Sequence, residues 1–323
     1  MNEHCIILMT PLPLTSIDTD VGTLSFIAYA GDTSIFQQAD IICVTPFNNI
    51  DAVFIAQLPD NIKLIVNIGV GTEHIDLAAA WSKNIMVTNT PVVTEDTADL
   101  AFALILATSR RLTANESFLR NNQWSSKTPV GIIGQSVHSK ILGIVGFGAI
   151  GQAVARRAQG FNMKVIYHNP SRKVEAEQSL SATYCESLAA LLQQADIVSL
   201  HCPLSEDTRY LINEETLVLM KNTSVLINTG RGGLVDEQAL VNALKNETIS
   251  AAGLDVYENE PEVSETLKAQ GNVTLLPHIG SATTECRTEM LQTMLGNVIC
   301  YLLNKKDDMN IVGKHLTSVK VRG

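Results

Sequence analysis

Short aliphatic or β-branched runs alternate along the chain with polar or glycine-containing turns and with stretches of helical periodicity. One series predicts buried strands in the N-terminal part of the chain, at residues 5–9, 39–44, 63–67 and 85–88. A second series predicts strands further along, at residues 141–145, 164–167, 196–200, 224–228 and 250–254. Strands that alternate with helices favour parallel sheets covered on both faces, so the pattern indicates an α/β fold. With 323 residues and roughly 150 residues per domain, the two series predict two domains.

The most apolar helical stretch lies between the two series, at residues 95–121. Acidic side chains open it, and arginines lie towards its far end, as the helix dipole favours. Its first half is apolar on nearly every face, which is unusual for a surface helix. We therefore expect one long helix here, buried between domains or subunits.

Glycine-rich turns follow predicted strands at residues 69–71, 146–151 and 230–233. The middle turn reads Gly146-Phe-Gly148-Ala-Ile-Gly151, with a strand before it and a helical pattern from Ala149 after it. A GxGxxG turn in this setting is typical of a dinucleotide site, because its glycines and the helix N-terminus receive a pyrophosphate. The alternative interpretation is a tight turn that binds nothing.

The residues after the second strand of this βαβ unit bear on the choice of cofactor. An NAD site usually has an acidic residue about 20 positions after the glycine motif, to bind the adenosine ribose. This chain has Asn169 there, followed by Ser171, Arg172 and Lys173, which could bind a 2′-phosphate. NADP(H) is therefore favoured, NAD(H) stays possible, and a solvated basic turn is the alternative.

Composition and charge exclude several classes of protein. A net charge of −10 argues against a nucleic-acid or anionic-membrane binder. The longest apolar run, residues 100–107, is far shorter than the about 20 residues of a membrane span. The first base is Lys63, so neither a secretory signal nor a transit peptide is expected. The six cysteines lack zinc-ligand spacing, which favours free thiols in a cytoplasmic protein without a metal.

Three chemically distinctive side chains lie late in the chain: Arg231, Glu260 and His278. Taken singly, they could be an interdomain salt bridge, a helix-start residue and a strand-end histidine. Together they supply a fixed cation, a carboxylate and an imidazole, which are the groups needed to reduce an α-keto acid.

With these motifs in order, the chain resembles the D-isomer-specific 2-hydroxyacid dehydrogenases along nearly its whole length. The matching segments are residues 70–71, 90–111, 142–151, 201–204, 226–233, 252–261 and 276–282. Residues 88–101 are most similar to the glyoxylate/hydroxypyruvate (2-ketogluconate) reductase branch. The resemblance implies a Rossmann dinucleotide-binding domain, residues 99–281, inserted into a flavodoxin-like split substrate-binding domain, residues 1–98 and 282–323. It also implies a homodimer formed around residues 95–121, with the active site in the cleft between the domains.

The resemblance also assigns roles to individual residues. The backbone N–H groups of Val70 and Gly71, together with Arg231, bind the substrate carboxylate. His278 is the general acid in reduction, with Glu260 as its partner. The implied cofactor contacts are Gly146, Gly148, Ala149, Ile150, Gly151, Asn169, Ser171, Arg172, Lys173, Cys202, Pro203, Thr208, Thr229 and Asp255.

Two alternatives stay open at this point. A 3-phosphoglycerate dehydrogenase would need basic residues for the substrate phosphate, and residues 1–62 contain no Lys or Arg. A nucleotide-sensing corepressor-like dimer has the same three catalytic residue types and would not turn substrate over. The chain also departs from the family pattern at Ser139, where glycine is expected, and in residues 91–94, which are one residue shorter than usual.

Overall fold

A computed structural model describes residues 3–314 of the chain. The chain divides into two compact units, Met1–Val93 with Thr283–Gly323, and Thr94–Ala282. The described part of the first unit is therefore residues 3–93 and 283–314. The domain limits predicted from the sequence lie at 98/99 and 281/282, and residues 1–2 and 315–323 of that prediction fall outside the described residues.

The strands of the described residues are, in chain order, β1 (Glu3–Leu8), β2 (Ser16–Thr19), β3 (Gly22–Ala28), β4 (Ile41–Val44), β5 (Leu64–Asn67), β6 (Met86–Thr88), β7 (Ile141–Val145), β8 (Lys164–His168), β9 (Thr183–Tyr184), β10 (Ile197–Leu200), β11 (Val225–Asn228), β12 (Ala251–Leu254) and β13 (Val273–Leu275). The α-helices are α1 (Ala52–Gln57), α2 (Leu77–Ser82), α3 (Thr94–Ser109), α4 (Leu112–Arg120), α5 (Ala149–Gln159), α6 (Val174–Leu180), α7 (Leu188–Gln194), α8 (Glu214–Leu217), α9 (Glu237–Lys245), α10 (Glu265–Lys268) and α11 (Thr284–Leu302). Short 3₁₀ helices span Thr33–Gln38, Gly232–Leu234 and Lys306–Asp308.

The first unit is built on a sheet in the order β2-β3-β1-β4-β5-β6. All neighbouring strands are parallel except β2, which pairs antiparallel with β3. Alternate residues of β1 enter different cores: Ile6 and Leu8 pack in the core that includes α11, and Ile7 packs in the core that includes α1 and α2. The sheet is therefore covered on both faces, as its uninterrupted apolar strands predict.

The second unit has a fully parallel sheet in the order β13-β12-β11-β10-β7-β8-β9. The strand order reverses at β7. From β7 the chain adds β8 and β9 on one side of the sheet, and it then adds β10 to β13 on the other side. In open α/β sheets such a switch point opens a crevice at the carboxyl ends of the strands, where ligands bind. The GxGxxG turn follows β7 and opens α5 at this point. The predicted α/β class with a Rossmann unit is confirmed.

The prediction of one helix over residues 95–121 is wrong. The structure has α3 and α4 instead, separated at Arg111, whose φ of 54° is left-handed and cannot continue a helix. Helix α3 packs against the sheet of the second unit, where a Cβ at Gly253 of β12 would lie 2.4 Å from Thr108 Oγ1. No helix within residues 3–314 is long and apolar enough to cross a membrane.

Candidate active site

His278 lies in a turn that follows β13 and has a left-handed φ of 53°. Three hydrogen bonds from this turn end on Asp255, just after β12. His278 N donates to the Asp255 carbonyl at 2.8 Å, while Ile279 N and Gly280 N donate to its two carboxylate oxygens at 2.8 and 2.9 Å. Asp255 is only 1% exposed, so its position is fixed by packing. Its three hydrogen bonds therefore also fix the turn that carries the imidazole.

Glu260 is the direct partner of the imidazole. His278 Nδ1 donates to Glu260 Oε2 at 2.6 Å, and the other carboxylate oxygen accepts the Tyr257 N–H at 2.9 Å. Burial alone raises the pKa of Glu260, but the hydrogen bonds from His278 and Tyr257 outweigh it, so the pKa lies below its ordinary value. The carboxylate is therefore ionised near neutrality, and Nε2 of the half-buried imidazole is left for another partner.

Arg231 stands at the start of a turn that follows β11. The Asn228 side chain holds this turn at both ends, accepting from Gly230 N at 3.0 Å and donating to Arg231 O at 2.9 Å. Gly232 lies so close to the segment that carries Glu260 that an added Cβ would come within 1.8 Å of Tyr257 O. The positive charge of Arg231 is near enough to help lower the pKa of Glu260. The second unit thus brings Arg231, Glu260 and His278 together.

The GxGxxG turn has three glycines with three different constraints. Gly146 has φ of 92°, and an added Cβ would lie 2.4 Å from Cys202 N. A Cβ on Gly151 would lie 2.3 Å from Gly146 O, so this glycine permits close packing of strand and helix. Gly148 faces open space and is the N-cap of α5, which has no side-chain cap. An open glycine before uncapped helical N–H groups fits a dinucleotide pyrophosphate, next to Ala149 and Ile150 at the helix start.

The predicted 2′-phosphate residues lie after β8, and one of them is already engaged. Asn169 Oδ1 accepts the Phe147 N–H of the glycine turn at 3.2 Å, which links the two loops. Arg172, expected from the sequence to be available to an anion, donates through Nε and Nη2 to the Glu177 carboxylate at 2.8 Å each. Glu177 also accepts from the hydroxyl of buried Tyr167, at 2.5 Å. A carboxylate thus stands close to this loop, although the sequence has none at the strand end.

The remaining predicted cofactor residues lie in loops that follow β8, β10 and β11. Thr208 closes the 203–208 loop by donating to Pro203 O at 2.7 Å. Thr229 is buried, and its hydroxyl oxygen has no partner among the described residues. The Lys173 N–H donates to Tyr167 at 2.8 Å, and Ser171 O accepts from Asn169 at 2.8 Å, so both belong to the β8 loop.

Val70 and Gly71 belong to the first unit, in the turn after β5. The Asn67 side chain donates to Gly69 O and Gly71 O at 3.1 and 2.7 Å, and Asn89 Nδ2 donates to Val70 O at 2.8 Å. Sequence reasoning missed these asparagines, as it missed Glu177. Their signal was weak, because an asparagine at a strand end is common in turns of any function.

A Rossmann unit with an imidazole–carboxylate pair and an adjacent arginine is the arrangement of a nicotinamide-dependent dehydrogenase. A sequence model of the D-isomer specific 2-hydroxyacid dehydrogenase, NAD binding domain, matches residues 102–280. The chain therefore belongs to the D-isomer specific 2-hydroxyacid dehydrogenase family, a family of NAD(P)-dependent oxidoreductases.

Individual relatives agree with this assignment. The chain is 43% identical over 270 residues to the glyoxylate reductase of Thermococcus litoralis, covering 82% of this chain and 81% of that protein. The structure is similar to that of a glyoxylate reductase from Paecilomyes thermophila, with a TM-score of 0.86, 32% identity and coverage of 98% and 100%. It is also similar to an NADPH-dependent glyoxylate/hydroxypyruvate reductase from Sinorhizobium meliloti in complex with NADP and malonate, with a TM-score of 0.84, 29% identity and 99% coverage of both chains.

Proposed function

We propose that this protein reduces a small 2-keto acid of the glyoxylate, hydroxypyruvate or 2-ketogluconate type to its D-2-hydroxy acid, using a nicotinamide dinucleotide. The observation that carries the proposal is the 2.6 Å hydrogen bond between His278 Nδ1 and Glu260 Oε2, beside the Arg231 turn. Relatives named glyoxylate reductase at 43% and 32% identity support the substrate class.

The proposed chemistry divides between the cofactor and three side chains. The dinucleotide, held at the GxGxxG turn, supplies the hydride. His278 gives a proton from Nε2 to the keto oxygen as negative charge develops there, and ionised Glu260 stabilises the imidazolium form. Arg231 is charged at all relevant pH values, so it binds the substrate carboxylate and orients the keto carbon.

The substrate carboxylate also binds the backbone N–H groups of Val70 and Gly71 in this proposal. We infer a substrate without a phosphate group, because residues 1–62 of the first unit contain no Lys or Arg. A phosphorylated substrate is normally met by such side chains.

We propose that NADP(H) is favoured and that NAD(H) is also used. Asn169 carries no charge that would repel a 2′-phosphate, and Ser171, Lys173 and the edge of Arg172 away from Glu177 can bind one. The Arg172 side chain is 60% exposed, so its remaining N–H groups are accessible. Glu177 offsets part of its charge, which is why the proposed preference is moderate.

We further propose a cytoplasmic homodimer. Large apolar side chains are exposed along α4 and the segment after it: Leu112, Leu119, Trp124, Val130, Ile132 and Ile133. The segment packs against α4, since Ile132 exchanges two hydrogen bonds with the Asn115 side chain. Several exposed large apolar side chains within one segment are typical of a protein interface, and a second copy is the occupant that the family resemblance implies. The six cysteines are free, which agrees with a reducing compartment.

A panel of 2-keto acids assayed with NADPH and with NADH tests the proposed function. We expect oxidation of the cofactor with glyoxylate and hydroxypyruvate, and a higher kcat/KM with NADPH. Cofactor binding without turnover of any 2-keto acid would favour a nucleotide-sensing protein instead.

A further inference from the structure

The turn after β5 has three consecutive carbonyl groups, each bound by a side-chain amide. Asn67 Nδ2 donates to Gly69 O and Gly71 O, and Asn89 Nδ2 donates to Val70 O, over distances of 2.7–3.1 Å. The Thr90 N–H donates to Gly69 O as well, at 3.1 Å. These hydrogen bonds to consecutive carbonyls therefore set the orientation of the peptide planes in the turn.

Fixing these carbonyls also fixes the amide N–H groups. In a trans peptide the N–H of one residue points opposite to the carbonyl of the residue before it. The held carbonyls of Gly69 and Val70 thus turn the N–H groups of Val70 and Gly71 away from the two asparagines. No described residue accepts a hydrogen bond from either N–H group, so both donors are free to bind an anion.

The two asparagines are themselves firmly placed. Asn67 ends β5 and is fully buried, although its Oδ1 has no hydrogen-bond partner among the described residues. An unpaired buried amide oxygen is destabilising, so an apolar residue would suit the sheet better if Nδ2 were not needed. Asn89 is held through its backbone, since its N–H donates to Asn310 O and its carbonyl accepts from Asn297 of α11, both at 3.1 Å.

We propose that Asn67 and Asn89 are positioning residues that orient the Val70 and Gly71 amides for the substrate carboxylate. This inference rests on the proposed function. The two donors are aligned when the chain folds, so binding the carboxylate requires little reordering of the loop. The two asparagines thereby contribute, beside Arg231, to affinity for the carboxylate, and they leave hydride transfer and cofactor binding to other residues.

Asn89→Ala tests the proposal, because it removes one hydrogen bond and leaves the anchored backbone in place. We expect the KM for glyoxylate to rise roughly 3- to 10-fold, the equivalent of one hydrogen bond, with kcat and the KM for NADPH nearly unchanged. Oxamate carries the same carboxylate next to an amide carbonyl, which is not reduced by hydride transfer. Its inhibition constant should rise in parallel with the KM for glyoxylate. Asn89→Asp should raise both constants further, since an ionised carboxylate cannot donate to Val70 O and repels the substrate.

Asn61→Ala is the matched control. Asn61 Nδ2 also donates to two carbonyls of the first unit, Phe36 O and Ala39 O, at 2.7 and 2.6 Å. We expect this variant to lower the melting temperature and leave the KM for glyoxylate unchanged. The proposal is overturned if Asn89→Ala leaves the KM and the oxamate constant within twofold, or if Asn61→Ala changes them equally. Wild-type protein that reduces no 2-keto acid would instead overturn the proposed function itself.

Discussion

At the scale of single residues, the Tyr167–Glu177–Arg172 contact most changes the interpretation of the site. The hydrogen bonds from Arg172 and then Tyr167 hold the pKa of Glu177 below its ordinary value, so this carboxylate is ionised near neutrality. Burial, followed by the hydrogen bond to Glu177, raises the pKa of Tyr167 to about 12, so the phenol stays protonated and donates. A negative charge therefore stands beside the cation expected to bind a 2′-phosphate.

Glu177→Gln should shift cofactor preference towards NADPH. The substitution removes a negative charge next to Arg172 and leaves an amide oxygen that can still accept from it. We expect the ratio of kcat/KM for NADPH to that for NADH to rise several-fold, while Arg172→Ala lowers it. Glu175→Gln removes the same charge from an exposed position of α6 and serves as the control. An unchanged ratio in Glu177→Gln would show that the carboxylate does not influence the 2′-position.

We expect Glu260 to influence how the proposed reaction depends on pH. In the proposed reaction a general acid acts only in its protonated form, so the rate of keto-acid reduction should fall as pH rises. Hydrogen bonds from His278 and Tyr257 outweigh burial and hold the pKa of Glu260 below its ordinary value, so an ionised carboxylate faces the imidazole near neutrality and supports its imidazolium form. Glu260→Gln should therefore move the fall in reduction rate to lower pH and reduce kcat. A pH profile of kcat identical to that of the wild type would contradict the assigned pairing.

At the scale of secondary structure, the sequence predicts the buried parallel strands well. The apolar run of β7 was predicted at residues 141–145, its observed bounds, and other predicted strands differ by at most two residues at either end. Strands β2, β3, β9 and β13 were missed, because each is short or partly exposed and lacks a long apolar run. The break at Arg111 could not be read from the sequence, since a left-handed arginine depends on tertiary contacts. Ser139, where glycine is expected, indeed has a left-handed φ of 63°.

Asp196 links the starts of three parallel strands, and its charge should contribute to stability. Its carboxylate accepts from Ile141 N at 2.9 Å and from Lys221 Nζ at 2.8 Å. Burial raises the pKa of Asp196, but these hydrogen bonds outweigh it and the pKa lies below its ordinary value. A lowered carboxyl pKa stabilises the folded state above the unfolded pKa, and this stability is lost as pH falls through the folded pKa.

Asp196→Asn should therefore lower the free energy of unfolding by about 1–2 kcal/mol near neutral pH. Denaturant titrations should show this difference shrinking as pH falls below the ordinary aspartate pKa and through the lowered pKa of the folded state, where the wild-type carboxylate becomes protonated. Asp207→Asn, at an exposed position of the same unit, is the control and should change stability little. A difference that stays constant down to strongly acidic pH would contradict a role for the charge.

At the scale of the whole molecule, the distribution of charge is more informative than the net value of −10. Most of the acidic excess lies in residues 1–62, which have seven Asp or Glu residues and no Lys or Arg. The candidate anion sites lie elsewhere, at backbone N–H groups after β5 and at the Arg231 and Arg172 turns. The charge pattern and the three candidate catalytic residues were visible in the sequence, whereas the partners that orient these side chains depend on contacts made by folding.

The exposed apolar surface along α4 should be buried in a homodimer. Ile133 is 82% exposed, so Ile133→Asp should disturb only an interface. We expect light scattering to give the mass of two chains for the wild type and a shift towards one chain for Ile133→Asp, with an unchanged circular dichroism spectrum. Val53→Asp, at an exposed position of α1, should remain dimeric. A wild-type mass of one chain would exclude the dimer.

The central claim is that His278 donates the proton in a nicotinamide-dependent reduction of a 2-keto acid. The most direct measurement compares glyoxylate turnover and NADPH binding in the wild type and in His278→Gln, with exposed His138→Gln as the control. We predict wild-type turnover, a loss of about 10²- to 10⁴-fold in kcat for His278→Gln, the range for general acid catalysis, and an unchanged Kd for NADPH. Retained turnover in His278→Gln, or loss of NADPH binding together with turnover, would contradict the role of His278 as the proton donor.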